Sequence, residues 1–204
     1  MTTPTTLTTP AAPAGPWLVL IGPAGAGKTT LGMALAELAG REFVDIDEAG
    51  VPFYEEMGWP VARIFSDSAR LGWIPTERAW EVARAHAVEQ VVARSADAVL
   101  ALGAGHTNYT NPELFSRVKA ALAQAEHVLW IEPHAEPQES LRLLRARNLV
   151  ERERDYIQDG HDILGEWLTD AQARSLATAR HYNHGKDVAV SAAEVIAVIT
   201  GAAT

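Results

Sequence analysis

Gly22-Pro23-Ala24-Gly25-Ala26-Gly27-Lys28-Thr29-Thr30 is the stretch that decides how this chain is read. It has the form G-x-x-x-x-G-K-[ST], and each fixed position answers a physical demand. Gly22, Gly25 and Gly27, with Ala26 between the last two, let backbone N–H groups approach an anion without bulky side chains in the way. Lys28 brings a point charge to β- and γ-phosphate oxygens. The Thr29 hydroxyl is a ligand for Mg2+, and Thr30 is left to contact the α-phosphate. Ahead of the loop, the apolar run Trp17–Ile21 reads as a buried strand. Behind it, Leu31, Ala34, Leu35 and Leu38 share one face of a helix that stops at Gly40. A helix starting here points the positive end of its dipole at the bound anion. Strand, loop and helix together specify a nucleoside triphosphate site, with ATP and Mg2+ as the expected pair. Motors, switches, transporters and kinases all use such a loop, so its purpose must be read elsewhere.

Working outward, Asp45-Ile46-Asp47 ends a second short strand, Phe43-Val44. Ligands of open α/β sheets sit at the carboxyl ends of strands, and alternation places Asp45 and Asp47 on the same side. One carboxylate near Mg2+ can hold a metal-bound water. The other can orient a substrate hydroxyl and draw off its proton. Two acids in a solvated loop are the bland alternative. Gly103-Ala104-Gly105-His106 ends a third strand, Ala98–Leu102, where small residues permit close approach by a ligand or simply make a turn. His106 is placed either to donate to a substrate or to cap a helix.

Further strands and helices alternate along the chain: a helical stretch Val51–Leu71 broken at Gly58-Trp59-Pro60, a long helix Thr76–Arg94, a helix Pro112–Ala125, a strand Val128–Ile131, a helix Pro137–Arg147, and last helices Thr169–Arg180 and Ser191–Ile199. This alternation predicts an α/β fold with a parallel sheet covered on both faces. Residues 148–162 are charged, contain Asp159-Gly160 and have no apolar face, which suits a mobile lid. Residues 1–16 are rich in Thr, Pro and Ala and read as a disordered leader, leaving 17–204 as a single domain.

The net charge of −9, with no basic stripe, argues against nucleic-acid binding. The absence of cysteine excludes disulfides and thiolate chemistry. No apolar run approaches the roughly 20 residues of a membrane span. A small-molecule partner and a cytoplasmic location are the expectation.

The order Gly22–Thr30, Leu31-Gly32, Leu35-Ala36, Phe43–Asp47, Arg78-Ala79-Trp80-Glu81 and Leu100–Gly105 resembles shikimate kinase and its relatives over about residues 17 to 152. The resemblance implies a P-loop NTPase fold with a five-stranded parallel sheet, a small substrate-binding subdomain and a lid. It also implies transfer of a γ-phosphoryl group to a small hydroxylated acceptor. Asp45 would match the Mg2+-associated aspartate, and Asp47 the aspartate that binds substrate hydroxyls and acts as base. Arg78 would match a substrate-carboxylate arginine, and Gly103, Ala104 and Gly105 the glycine-rich substrate turn. Arg145 would flank the adenine, and Arg152 would be the lid arginine that reaches the transferring phosphate. Lys28, Asp47 and Arg152 are thus the expected catalytic residues.

The chain also departs from the family. Arg152-Glu153-Arg154-Asp155 replaces the lid motif, and Trp167-Leu168-Thr169-Asp170 stands where a second carboxylate-binding arginine is expected. A site with one of two clamps missing points to a polyhydroxylated acceptor other than shikimate. Shikimate itself, a nucleoside or antibiotic acceptor, and a nucleotide switch remain as alternatives. The switch draws on Glu132, an acid at the end of the Val128–Ile131 strand.

Overall fold

A computed structural model describes residues 15–201, so all but the last two residues of the expected leader lie outside the described residues. The elements run β1 (Leu18–Ile21), α1 (Lys28–Ala39), β2 (Phe43–Asp45), α2 (Ile46–Ala49), α3 (Val51–Glu56), α4 (Ala62–Leu71), α5 (Trp73–Ala79) and α6 (Glu81–Arg94). They continue through β3 (Val99–Ala101), a 3-10 turn (Ala104–His106), α7 (Pro112–Leu122), β4 (His127–Glu132) and α8 (Pro137–Arg152). The chain ends with β5 (Ile157–Gln158), β6 (His161–Asp162), α9 (Ile163–Thr169), α10 (Ala171–Ser175), β7 (Ala179–Tyr182) and α11 (Val188–Ile199).

Five parallel strands form one sheet in the order β2-β3-β1-β4-β7. Alternation along β1 divides the core in two. Leu18 and Leu20 pack with α1, α8, α9 and α11 on one face, while Val19 and Ile21 pack with α6 and α7 on the other. Both faces being covered explains why β1 and β3 are continuous apolar runs. The phosphate loop leaves the central strand, at the carboxyl edge where ligands of such sheets sit.

Several elements differ from the sequence expectation. The expected helix Thr76–Arg94 is two helices hinged at Trp80, whose indole is 2% exposed and packs edge-on against Tyr54 and Trp59. Thr76 lies inside α5, and its hydroxyl donates back to the Gly72 carbonyl at 2.9 Å. The sheet's fifth strand, β7, begins within the expected helix Thr169–Arg180, of which only Ala171–Ser175 forms a helix, α10, together with the end of α9. It pairs with β4 alone, and Ala-Arg-His-Tyr has no apolar alternation to announce an edge strand. Helix α8 runs five residues further, to Arg152, so the expected lid comprises the end of a helix, an irregular turn and the antiparallel hairpin β5–β6. Among the described residues no helix is long and apolar enough to cross a membrane.

Candidate active site

The loop from Gly22 to Gly27 is held by side chains that donate where its carbonyls point. Lys28 Nζ donates to the carbonyls of Gly22 and Pro23, both at 2.9 Å. Asn148 Nδ2 donates to Ala24 O at 3.0 Å, and Asn183 Nδ2 to Ala26 O at 2.7 Å. Gly27, Lys28, Thr29 and Thr30, at the start of α1, line the cavity, and the first N–H groups of a helix have no partner within it, so they are available to an anion. Gly22 is obligatory: its φ is +139, and a Cβ there would lie 2.3 Å from the Ile131 carbonyl oxygen. Burial lowers the Lys28 pKa to about 8; Asp47 and Asp45 oppose the shift and Arg152 assists it.

Asp45 accepts from the Thr29 hydroxyl at 3.0 Å and from the Asp47 N–H at 3.0 Å. Two hard oxygen donors meeting at the foot of the phosphate loop fit Mg2+, which favours carboxylate and hydroxyl oxygens together with substrate phosphates.

The loop opens into a cavity of about 370 Å3 that includes Gly25, Gly27, Lys28, Thr29, Thr30, Asp45, Asp47, Gly103, Ala104, Gly105, His106 and Arg152 in its walls. Most of the residues singled out from the sequence are thus brought together. The cavity wall also includes residues the sequence did not flag, Tyr54, Val61, Ile64, Glu77, Arg84 and Tyr156, beside Trp80 and Trp167. Arg84, on α6, lies 3.4 Å from where a Gly105 Cβ would sit. Its guanidinium is already engaged, with Nη1 donating to Glu77 Oε2 and Nη2 to the Glu77 carbonyl, both at 2.7 Å.

His106 is buried, and its Nε2 lies 2.5 Å from the Tyr54 hydroxyl. Burial, reinforced by Arg84, lowers its pKa to about 3, against weaker pulls from the Gly103 carbonyl and Asp45. The imidazole is therefore neutral at physiological pH. Burial also pushes the Tyr54 hydroxyl up, so it stays protonated.

Two arginines lie outside the positions expected of them. Arg78 lines neither this cavity nor a second one beside the phosphate loop. Its Nη2 donates to both Glu166 oxygens, at 2.7 and 2.9 Å, and Nη1 to Asn108 Oδ1 at 2.9 Å. Burial raises the Glu166 pKa, but hydrogen bonds from Arg78 and His161 outweigh it and hold the carboxyl below its ordinary value. Arg145 donates to Asp162 Oδ2 at 2.6 Å, in the β5–β6 hairpin, and lines neither cavity. Arg147 borders the second cavity, of about 260 Å3, with Gly27, Thr30, Asn183 and Lys186. At 100° per residue, positions 145 and 147 face nearly opposite sides of α8, so only one can turn to the loop. Glu132 is 1% exposed and bound to Arg174 through both oxygens, at 2.8 and 3.0 Å. It is a structural anion, which removes the feature that supported a nucleotide switch.

A sequence model described as shikimate kinase matches residues 24–190. The shikimate kinase of Salinispora arenicola is 36% identical over 127 residues, covering 59% of this chain and 74% of that protein. Among solved structures, shikimate kinase from Acinetobacter baumannii, in complex with shikimate, superposes with a TM-score of 0.63 at 22% identity, covering 93% of this chain and 94% of that one. Shikimate kinase from Aquifex aeolicus gives 0.60 at 18% identity, covering 91% and 97%. The two structures bear out the parallel five-stranded fold. The sequence match, spanning phosphate loop, acidic strand end and glycine turn, identifies an ATP- and Mg2+-dependent kinase of a small hydroxylated molecule: the chain belongs to the shikimate kinase family.

Proposed function

We propose that this kinase phosphorylates a hydroxyl of a small polyhydroxylated acceptor that carries no carboxylate, and that shikimate is not its physiological substrate. The observation that carries this reading is the bidentate pair between Arg78 and Glu166. The arginine expected to clamp a carboxylate is neutralised by the chain's own acid. The second clamp position holds Trp167, which lines the cavity as an apolar wall. The remaining cations of the cavity, Lys28, Arg84 and Arg152, face Asp45, Asp47, Glu77 and Glu151, so acids already outnumber bases. A buried carboxylate without a matched donor loses roughly 1.5–3 kcal/mol, or about 10- to 150-fold in affinity.

In this reading Asp47 accepts the hydrogen bond of the reacting hydroxyl and takes its proton as the γ-phosphoryl group moves to it. Lys28 leaves the Gly22 and Pro23 carbonyls for the phosphate oxygens, and Arg152 adds charge from the end of α8. Thr29 and Asp45 would hold Mg2+, which neutralises phosphate charge when bound. Gly103, Ala104 and Gly105 keep backbone within reach of the acceptor, and His106 contacts it. Arg147, in place of Arg145, borders the nucleotide.

Arg84 favours a second reading. If it released Glu77, it could meet a carboxylate at the acceptor end and restore shikimate as substrate. The test is incubation with ATP and a panel of shikimate, cyclitols, sugars and nucleosides, read as a mass gain of one phosphate. Turnover of neutral polyols with poor use of shikimate is expected. Efficient turnover of shikimate with the rest inert would overturn the reading.

A further inference from the structure

Tyr54, from α3, and His106, from the 3-10 turn after β3, come from segments far apart in the chain, yet their side chains meet at 2.5 Å. Both residues are buried, at 7% and 5% exposure. The rings stack with centroids 6.2 Å apart and an interplanar angle of 24°. Trp80 packs edge-on against Tyr54 at 5.6 Å and fixes the phenol. The other ring nitrogen, His106 Nδ1, is buried with no hydrogen-bond partner. The Gly103 carbonyl is near enough to favour a proton on the ring but makes no hydrogen bond of acceptable geometry to Nδ1. An orphaned polar atom of this kind costs stability unless a ligand completes it.

Its surroundings say where that ligand sits. A Cβ built on Gly103 would lie 2.7 Å from His106 Nδ1 and 2.8 Å from Asp47 Oδ1. The nitrogen and the carboxylate therefore flank the same small space over Gly103, inside the cavity wall. This is also why glycine is needed there: any side chain would collide with both groups.

The proton can be assigned from satisfaction alone. A neutral imidazole has one N–H, and the position of that proton follows from what the other nitrogen meets. If Tyr54 donates to Nε2, its hydroxyl is satisfied and the ring proton sits on Nδ1. The reverse would leave the phenol proton without an acceptor and turn a bare Nδ1 lone pair toward the Asp47 carboxylate. The first arrangement satisfies the phenol and leaves Nδ1–H as a donor beside the Asp47 carboxylate, open to a ligand.

We infer that Tyr54 and His106 form a neutral hydrogen-bond unit in which His106 Nδ1–H donates to an acceptor oxygen beside the hydroxyl held by Asp47. The site then selects molecules with oxygens on two neighbouring carbons. His106 is a specificity-determining contact and Tyr54 a positioning residue. The inference rests on the reading of this cavity as the acceptor site of the kinase.

Two measurements on the full chain test it separately from that reading. In 15N-imidazole NMR, His106 is expected as the Nδ1–H tautomer, untitrated across roughly pH 5 to 8. An Nε2–H tautomer or an imidazolium would overturn the unit, whatever the substrate. The second compares cyclitols with their monodeoxy counterparts as acceptors. The parent is expected to prefer the vicinal diol by about 10-fold or more in kcat/KM, mainly through KM. His106→Gln keeps a partner for Tyr54 but removes the donor, so the preference should fall to about 2-fold or less. His106→Asn, whose amide nitrogen lies near the Nδ1 position, should retain much of it. An unchanged preference in folded His106→Gln overturns the inference; if that variant fails to fold, Tyr54→Phe, which frees the tautomer, must lower the preference instead. Failure of the parent to phosphorylate any polyol counts against the proposed function, and the tautomer then decides the hydrogen-bond unit.

Discussion

The two ends of the cavity are built by different means. At the phosphate end, Gly22 to Thr30 supply loop, cation and hydroxyl from one unbroken segment, and Asn148 and Asn183 secure its carbonyls from outside. At the acceptor end, each wall comes from a different element: Tyr54 from α3, Arg84 from α6, His106 from the 3-10 turn, Trp167 from α9. The phosphate end offers an anion a lysine that is bound only to backbone carbonyls and not to an acid. The acceptor end presents groups already paired: Arg84 with Glu77, and next to it Arg78 with Glu166. A common ligand can be held by a contiguous motif, whereas a particular acceptor is chosen by how distant side chains use up or expose one another's charges.

The largest effect expected from breaking this division falls on Asp47, which belongs to both ends. Asp47→Asn should lower phosphoryl transfer by about 10²- to 10⁴-fold, the range of a positioned general base, while nucleotide affinity stays near that of the parent. Single-turnover kinetics beside equilibrium binding of an ATP analogue would check it. Equal loss in both would place Asp47 with the metal. Asp45→Asn, by contrast, should raise the Mg2+ concentration needed for half-maximal rate.

Next in size is Lys28→Ala. It removes a charge whose worth grows as the γ-phosphate leaves, so turnover should fall about 10²- to 10³-fold. Near-parental turnover by the folded variant would mean that Arg152 and the loop N–H groups suffice.

The unequal legibility of the two ends follows from the same construction. The phosphate loop could be read because its chemistry is contiguous, and the acidic pair because a strand end in an open sheet is a known address. Arg84 was invisible: it is one polar residue in the Ala- and Val-rich run Glu81–Arg94, and only the hinge at Trp80 turns it toward the cavity. Tyr54 looked like one more apolar residue of an amphipathic stretch. Arg78 and Arg145 fall where the resemblance expects arginines, but position does not reveal that Glu166 and Asp162 will capture them. Strand β7 escaped notice for a simpler reason, since an edge strand needs only one apolar partner and carries little pattern. Fold class depends on many repeated apolar positions, a site wall on single pairings, and single pairings are not periodic.

A more modest effect is expected from releasing one such pairing. Glu166→Ala leaves Arg78 with Asn108 and, at 3.9 Å, Glu81, and frees two of its hydrogen bonds. If Arg78 then reaches the acceptor end, KM for shikimate should fall by about 10-fold, with little change for neutral polyols. Steady-state kinetics on both acceptor classes would show it. Identical changes for both would mean that Glu166 merely shapes the lid.

The smallest effect concerns protons at the phosphate end. In the nucleotide-free enzyme burial lowers the Lys28 pKa to about 8, with Asp47 and Asp45 partly restoring it. Bound phosphates favour the charged amine and raise its pKa again. The sign follows directly. Well below about 8 the amine is charged with or without nucleotide, and binding takes up no proton. Above about 8 the free enzyme is neutral at Lys28, so binding must draw a proton from solvent, and affinity weakens by up to about 10-fold per pH unit until the bound-state pKa is reached. Calorimetric titration of an ATP analogue in two buffers of different ionisation enthalpy reads this as proton uptake rising toward one across that window. Asp45→Asn removes one of the charges that hold the amine protonated, so it should move the onset to lower pH. Lys28→Arg, whose cation does not titrate in this range, should abolish the uptake. Uptake that persists in Lys28→Arg would assign the proton to another group and leave Lys28 charged throughout.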